Sequence, residues 1–550
     1  MNIDDRQQLF RQTLVAEGFE RDRKQTLSFR FIGTLRADNR SISVAITFSD
    51  LEFSHLPTVE LLRPEKEAPD VLAHLSTTGG LCFASDGDVI LDRYDVVGSV
   101  QLCLGLAKQG LQRALTHKYL SDEIAAEFPQ HWGGSHFYYD LSGKGVYQAR
   151  FYRSEDGRWL LTHDQAALMR FGIYSETSKR NAHLANVIRL DKNLTFIPGQ
   201  TRPQSLTDFV EYLTNVTEKK YGAFFDFQSE KQITAALFFL HAPNGCVGIR
   251  IPIRHTPRSA ASRKIGLRQL LADRQPIERL SGSRFDPQFI FERNMHKQQS
   301  LAGKRIALVG CGTIGSHLSK MLVQSGAGHC GGAFMLLDNQ TLEPGNIGRH
   351  YLGPTHTGKR KVDAMKEELL RQFPDANIST IHQDAVAHLP HLVGQDLVID
   401  ATGEEALSNS INHYFAIRHR ANKKVPSRLH IWLFGNGAAA QALLVDDSEF
   451  ACFRCLKEGS PSRWRFDPMK PDAGTEQTAA ACGEGRFVPY GVAAPTMAGA
   501  LALQMALDWS NGAPSPRLRT ITIDKKTTRA RDDTNPKKIN ACPECASAGD

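Results

Sequence analysis

Ten cysteines carry most of the reactive chemistry in this chain, and their spacing divides them. Cys452-Phe-Arg-Cys455 and Cys542-Pro-Glu-Cys545 are two Cys-x-x-Cys knuckles. Four thiolates in two such pairs suit a tetrahedral structural zinc ion. The 86 residues between the pairs exceed a small zinc ribbon. The site would therefore clip the C-terminal tail onto its domain. Cys482 stands apart, among Ala479–Ala481 and Gly483. Small neighbours leave its thiol accessible, and Arg486 would favour the thiolate. Cys82 follows Gly79-Gly80-Leu81, with His74 eight residues upstream. Cys103, Cys246, Cys311 and Cys330 are expected to be packing residues.

A second chemistry is phosphate binding. Gly310-Cys-Gly312-Thr-Ile-Gly315 follows the apolar run Arg305–Val309 and opens a helical pattern. Glycines there allow a tight turn and close backbone approach, and the helix N-terminus offers oriented N–H groups. Alone, the motif would suggest NAD. The residues that follow argue for a triphosphate. Asp338 ends the second strand and suits ribose hydroxyls. Arg349 and Lys361 come next, and two cations this close could neutralise charge on phosphoryl oxygens. The plainer alternative is that both are solvated surface charges.

The elements that must position these residues fall into three regions. Residues 1–130 read as helix (from Asp4), small strands at Leu27–Ile32 and Ile42–Phe48, an irregular segment with Cys82, then a helix from Val96 to Thr116. That order is α+β. Residues 131–283 read as a mixed α/β linker with β-like runs at Ala235–Leu240 and Gly248–Ile253, and show no recognisable chemistry. Residues 284–550 alternate strands (Ala333–Asp338, Leu397–Ala401, His430–Phe434, Thr520–Ile523) with helices, as in a mostly parallel Rossmann-like sheet. The fold class is α/β overall.

Composition excludes other classes. The chain has 550 residues, 66 Lys plus Arg against 59 Asp plus Glu, and a net charge of +7. That excess is too mild and dispersed to indicate direct nucleic-acid binding. With 41% hydrophobic and 23% charged residues, the chain is an ordinary globular one. The N-terminus lacks the apolar core of a signal peptide. Tyr490–Trp509 contains Pro495, Gln504 and Asp508 and reads as a buried helix, not a membrane span. A cytoplasmic, reducing location is expected.

The motifs of the last region resemble those of ubiquitin-activating and ThiF/MoeB-type adenylyltransferases. The resemblance rests on Asp338, Asn346, Arg349 and Lys361 behind Gly310–Gly315, and it covers nearly half the chain. It implies an ATP site with Mg2+ and Zn2+, and a catalytic cysteine at Cys482 in a crossover loop. Arg293, in Phe-Glu-Arg-Asn, looks like the family arginine that often reaches ATP across a dimer interface; a homodimer follows from the family only. One departure stands out. The family usually carries Asp-Asn after the fourth strand, where the Asp binds magnesium, but here Gly403-Glu404 takes that place. Asp400, at the strand end, is the expected magnesium ligand instead. The segment around Cys82 resembles ubiquitin-conjugating enzymes, with His74 where their motif carries an oxyanion-stabilising Asn. Asp86, Asp88 and Asp95 are possible amine-orienting acids, or simply a charged loop.

The order of regions resembles the fused conjugation enzymes of bacterial anti-phage CBASS operons, the CD-NTase-associated ubiquitin-transferase-like family. That resemblance implies ATP-dependent adenylation of the C-terminus of a cGAS-like nucleotidyltransferase. Thioesters would follow on Cys482 and then Cys82, and the chain would end joined to a target protein's amine. Arg349 and Lys361 would act on the phosphates. Three alternatives stay open: the same chemistry on a dedicated ubiquitin-like protein, a ThiF/MoeB-type sulfur-carrier adenylyltransferase, and a non-catalytic binding scaffold.

Overall fold

The computed structural model describes residues 3–23, 29–67, 71–76, 78–85, 87–116, 120–196, 201–218, 222–225, 227–228, 235–253, 264–265, 276–458, 463–479, 486–540 and 542–545. The chain divides into two compact units, Met1–Phe285 and Asp286–Asp550. Among the described residues, no helix is long and apolar enough to cross a membrane.

The first unit opens with helix α1 (Ile3–Ala16) and an antiparallel meander of β1 (Glu20–Arg21), β2 (Phe29–Ala37), β3 (Arg40–Phe48), β4 (Thr58–Leu61) and β5 (Gly80–Leu81), paired in sequence order. Asp38 and Asn39 join β2 to β3 with both φ angles positive (49° and 55°). Those are the residue types that accept a two-residue hairpin turn. Phe10 of α1 packs edge-on against Phe31 and Phe48 of the sheet. Helix α2 (Val96–Leu115) follows, with Asp95 capping its N-terminus through the Gly98 N–H. Two short helices, α3 (Leu120–Ala126) and α4 (Phe128–Trp132), lead onward.

The middle region is a closed seven-stranded barrel, which the expected mixed α/β linker did not anticipate. Its strands are β6 (Ser135–Asp140), β7 (Val146–Arg153), β8 (Trp159–Thr162), β9 (His183–Arg189), β10 (Ala235–Ala242), β11 (Gly245–Pro252) and β12 (Glu278–Arg284). They close in the order β10-β11-β12-β6-β8-β7-β9, with parallel pairs between β9 and β10, β12 and β6, and β6 and β8. Phe137, Phe151, Val187, Leu237 and Phe239 fill the interior.

The second unit is a twisted sheet of β13 (Arg305–Val309), β14 (Ala333–Leu337), β15 (Ile378–Ile381), β16 (Leu397–Asp400), β17 (Ser427–Phe434), β18 (Ala439–Val445) and β19 (Leu518–Thr522). The order is β15-β14-β13-β16-β17-β18-β19. The first five in that order run parallel, and the last two are antiparallel additions. The order reverses at β13 and β16, and their carboxyl ends form the crevice where ligands bind in such sheets. Helix α5 (Thr313–Gln324) follows β13. Helix α7 (Ala493–Ser510), the Ala- and Gly-rich segment, is buried against α5: a Cβ on Gly499 would stand 2.9 Å from Met321 Cε.

Candidate functional site

The turn after β13 is as tight as the sequence required. A Cβ on Gly315 would fall 1.8 Å from the Gly310 carbonyl oxygen, so only glycine lets α5 start there. Gly310 has φ +91°, and its own Cβ would strike Thr402. Gly312 faces open space, so its missing side chain matters only to something that approaches from outside. That space is a cavity of about 360 Å³. Gly310, Gly312, Asp338, Gln340, Glu404 and Tyr490 are among the residues that line it.

The turn is clamped from two sides at Cys311. Its N–H donates to Asp338 Oδ2 (2.7 Å), and His350 Nε2 donates to its carbonyl (2.8 Å). His350 Nδ1 accepts from the Leu352 N–H (3.0 Å). Both ring nitrogens are thus used by the neutral imidazole, and burial pushes its pKa down to about 4. Nothing in the sequence motif points to His350; its role depends on a loop returning 39 residues later.

Lys361 begins helix α6 (Lys361–Gln372) and is only 4% exposed. The segment after Asp338 pairs with the segment before Lys361, through Leu342 N–H to Lys359 O and Lys361 N–H to Gln340 O. Lys361 Nζ donates to Gln340 Oε1 (2.6 Å) beside the cavity. Burial lowers its pKa, and the Asp338 carboxylate works in the opposite direction. Arg349 stands behind the wall, its guanidinium 4.8 Å above the Tyr490 ring. Asn346 caps its own loop by accepting from the Glu343 N–H (3.1 Å). Arg293 is exposed, with its guanidinium 5.3 Å from the Phe289 ring. None of Arg293, Asn346, Arg349 and Lys361 is among the residues that line the cavity.

Asp400 needs correction as a magnesium ligand. It is 2% exposed and accepts from Thr402 Oγ1 (2.7 Å), Ser408 Oγ (2.5 Å) and His430 Nδ1 (2.9 Å). Burial alone would raise its pKa, yet these donors hold it below the usual carboxylate range. A carboxylate so committed braces the strand end and has no oxygen to offer. Asp338, Asp384 and Glu404 are the carboxylates among the residues that line the cavity.

The four knuckle cysteines come together. Cys452 Sγ lies 3.8 Å from Cys455 Sγ and 3.7 Å from Cys542 Sγ, and Cys455 Sγ lies 3.5 Å from Cys545 Sγ. A tetrahedral zinc with 2.3 Å bonds needs sulfur atoms about 3.8 Å apart. Disulfides would need about 2 Å. Each pair closes a tight turn, Cys455 N–H to Cys452 O and Cys545 N–H to Cys542 O. Asn412 Nδ2 sits 3.6 Å from Cys452 Sγ, as a donor supporting a thiolate would. The donor set fits zinc.

In the first unit, Cys82 is exposed and His74 is held beside it. The Cys82 N–H donates to the His74 carbonyl (2.8 Å), and Leu75 bridges to Leu81. His74 adopts φ +61°, a left-handed conformation that costs a non-glycine residue energy. Helix α2 passes closely beneath: a Cβ on Gly110 would stand 2.9 Å from Phe83 Cβ. Two acids outside the expected set complete the surroundings. Glu123 Oε2 is 3.4 Å from His74 Nε2, and Glu127 Oε2 is 3.8 Å from His131 Nε2. Burial raises the Cys82 thiol pKa, and the Glu127 charge raises it further. Of the expected acids, Asp95 is a helix cap, and Asp86 lies outside the described residues. The i, i+4 spacing of Glu123, Glu127 and His131 is the sequence signal that marks them as one face. Cys103, Cys246 and Cys311 are buried, whereas Cys330, expected to pack, is exposed. Cys482 also lies outside the described residues.

Residues 286–544 match the ThiF family. An ATP-dependent ubiquitin transferase-like protein Cap2 from Pseudomonas aeruginosa is 31% identical over 515 residues, covering 90% of this chain and 91% of its own length. The chain belongs to the Cap2 family. Cap2 of Vibrio cholerae is 31% identical over 265 residues, 44% of each chain. A crystal structure of Escherichia coli MccB with ATP shares 20% identity over 44% of this chain and 68% of its own, with a TM-score of 0.33. The chain is therefore an ATP-using, ubiquitin-transferase-like member of the Cap2 family, with a ThiF-type adenylation domain in its second unit.

Two outcomes follow from this geometry. His350 is neutral in the folded turn, so between about pH 6.5 and 4 the unfolded state binds a proton that the native state does not. Hydrogen-exchange protection of the Cys311 amide should be flat above pH 6.5 and fall as pH is lowered towards 4. In His350→Phe it should be lower by about 1–2 kcal/mol and lack that pH dependence. For the cysteine cluster, elemental analysis should find one zinc per chain, and Cys455→Ser should lose it and lower the melting temperature of the second unit. A metal-free native protein of unchanged stability would contradict the zinc assignment.

Proposed function

We propose that this protein joins the C-terminus of a partner protein to a target amine, using ATP. The observation that carries the reading is one chain holding both a triphosphate-sized cavity on a glycine turn and an exposed cysteine beside His74. The partner's carboxylate would enter the cavity of the second unit, where Gly312 leaves room for phosphate and Asp338 for ribose. Lys361 and Arg349 would offset charge on the phosphates as pyrophosphate leaves. Glu404 and Asp384, both at the cavity, suit a magnesium ion held by one or two carboxylates and by phosphate oxygens. Magnesium there would neutralise developing phosphoryl charge. The sequence context of Cys482 supports it as first acyl acceptor, and Cys82 as second. A thioester at each keeps the acyl group activated and divides amide synthesis into easier steps. Zinc on the four cysteines would be structural, since a four-thiolate site leaves no open position.

At Cys82 the raised thiol pKa means that attack needs a base, and aminolysis needs a neutral amine. Glu127 supplies the base for the incoming ammonium. His74, oriented by Glu123, donates to the oxyanion that forms as the amine attacks; as that intermediate collapses the C–S bond breaks, and the departing Cys82 sulfur takes up the proton held by Glu127. The family resemblance supports a cGAS-like nucleotidyltransferase as the partner, with a homodimeric enzyme in the cytoplasm. A dedicated ubiquitin-like protein would use the same groups. A sulfur-carrier adenylyltransferase would leave Cys82 and its two acids without a task, and a scaffold would leave the clamped turn without one.

The test is discharge of the Cys82 thioester, loaded with ATP and the partner, onto lysine or hydroxylamine. Lysine arrives protonated at pH 7 and hydroxylamine does not. Glu127→Gln should slow the lysine reaction 10²–10⁴-fold, the usual contribution of a general base. It should leave the hydroxylamine reaction nearly unchanged. Equal losses with both amines would remove Glu127 from the proton transfer, and failure to load Cys82 at all would refute the larger reading.

A further inference from the structure

The barrel of the first unit opens at one end into a cavity of about 740 Å³. Strand alternation determines what points into that end. Val187 on β9 faces the barrel interior, so Arg189, two residues on, shares its face. Leu237 and Phe239 do the same for His241 on β10. Arg189 and His241 are register partners on these parallel strands. The Arg189 N–H donates to the Gly145 carbonyl (2.7 Å), which fixes the loop joining β6 to β7 beside it.

Arg189 is half-buried, and its guanidinium has one close partner. Its Nη1 lies 2.7 Å from His241 Nε2, which accepts. That uses one of five N–H donors on the guanidinium. Among the described residues, Arg189 forms no ion pair with a carboxylate. Tyr147 and Cys246 share the inner face and feel the Arg189 charge, but burial pushes both pKa values up, so both stay neutral. Lys144 lines the same cavity from the Ser142-Gly143-Lys144-Gly145 loop. The backbone N–H groups of Ser142 and Lys144 meet no acceptor among the described residues. Asp191, on the exposed rim, is the carboxylate lining the cavity.

We propose that this barrel mouth binds the phosphoryl group of a small phosphate monoester. The Arg189 fork would take two of its oxygens, and Lys144 with the loop amides would take the third. A half-buried guanidinium with one neutral partner keeps donors for an anion, and its planar fork suits two phosphate oxygens. Two cations and two amides match a dianion with three acceptor oxygens better than a carboxylate with two. Mouths of barrels are common ligand sites, and the cavity volume suits a ligand of metabolite or nucleotide size. The remaining volume would hold the organic part, with Asp191 placed to accept from a hydroxyl. This site is independent of the ligation chemistry and adds a ligand-binding role to the middle region.

The test uses the full chain and inorganic phosphate, measured by calorimetry. The adenylation cavity is expected to attract phosphate as well, so the background is Lys361→Ala, which removes the cation held beside that cavity by Gln340. The background protein should bind phosphate saturably. Adding Arg189→Ala should weaken binding at least tenfold. Adding Lys144→Ala, an exposed rim change that leaves the barrel core intact, should weaken it several-fold and keeps the test valid if Arg189→Ala fails to fold. Acetate should bind more weakly than phosphate. No saturable phosphate binding in the background protein, unchanged affinity in folded variants, or acetate binding as tightly as phosphate would each overturn the assignment.

Discussion

The clamped peptide at Cys311 is the constraint on which the second unit's chemistry depends. Helix α5 starts so close to the end of β13 that the Gly310 carbonyl occupies the place of any Cβ at position 315. A turn that tight must be held, and Asp338 and His350 hold it from opposite sides. Asp338 therefore does two things at once: one oxygen pins the turn, and the residue faces the space where ribose would lie. The strand-like pairing after Asp338 then delivers Lys361 to the same place. The turn, the acid and the cation are one mechanical assembly. Loss of His350 would loosen all three, although it touches nothing in the cavity.

The Cys82 region is held by a comparable economy. His74 accepts a left-handed backbone because its carbonyl must meet the Cys82 N–H while its ring meets Glu123. Glu123 and Glu127 stand one helical turn apart and face the cysteine side of the first unit. Burial and the Glu127 charge oppose thiolate formation at Cys82, which disfavours adventitious reaction of the free thiol. The same charge favours accepting a proton from an ammonium.

Much of this was legible in the sequence where the determinants are local. The strand Arg305–Val309, the glycine spacing and the helix after it form one continuous signal, and the structure places them as expected. The two Cys-x-x-Cys turns are local as well, and only their convergence needed the fold. The barrel was not legible because three of its seven contacts join parallel strands distant in sequence, which no hairpin signal announces. Asp400 was misread because an acid at a strand end looks available. Its occupation by Thr402, Ser408 and His430 depends on a helix and a neighbouring strand. His350, Glu123 and Glu127 were missed because each acts through a residue far away in the chain.

The central claim is a two-cysteine relay fed by adenylation in one polypeptide. Mass spectrometry of thioesters, after incubation with ATP and a cGAS-like nucleotidyltransferase, tests it most directly. The account predicts partner adducts on Cys482 and Cys82 in the native protein, none on either in Cys482→Ala, and one remaining on Cys482 in Cys82→Ala. Normal loading of Cys82 in Cys482→Ala would contradict the relay.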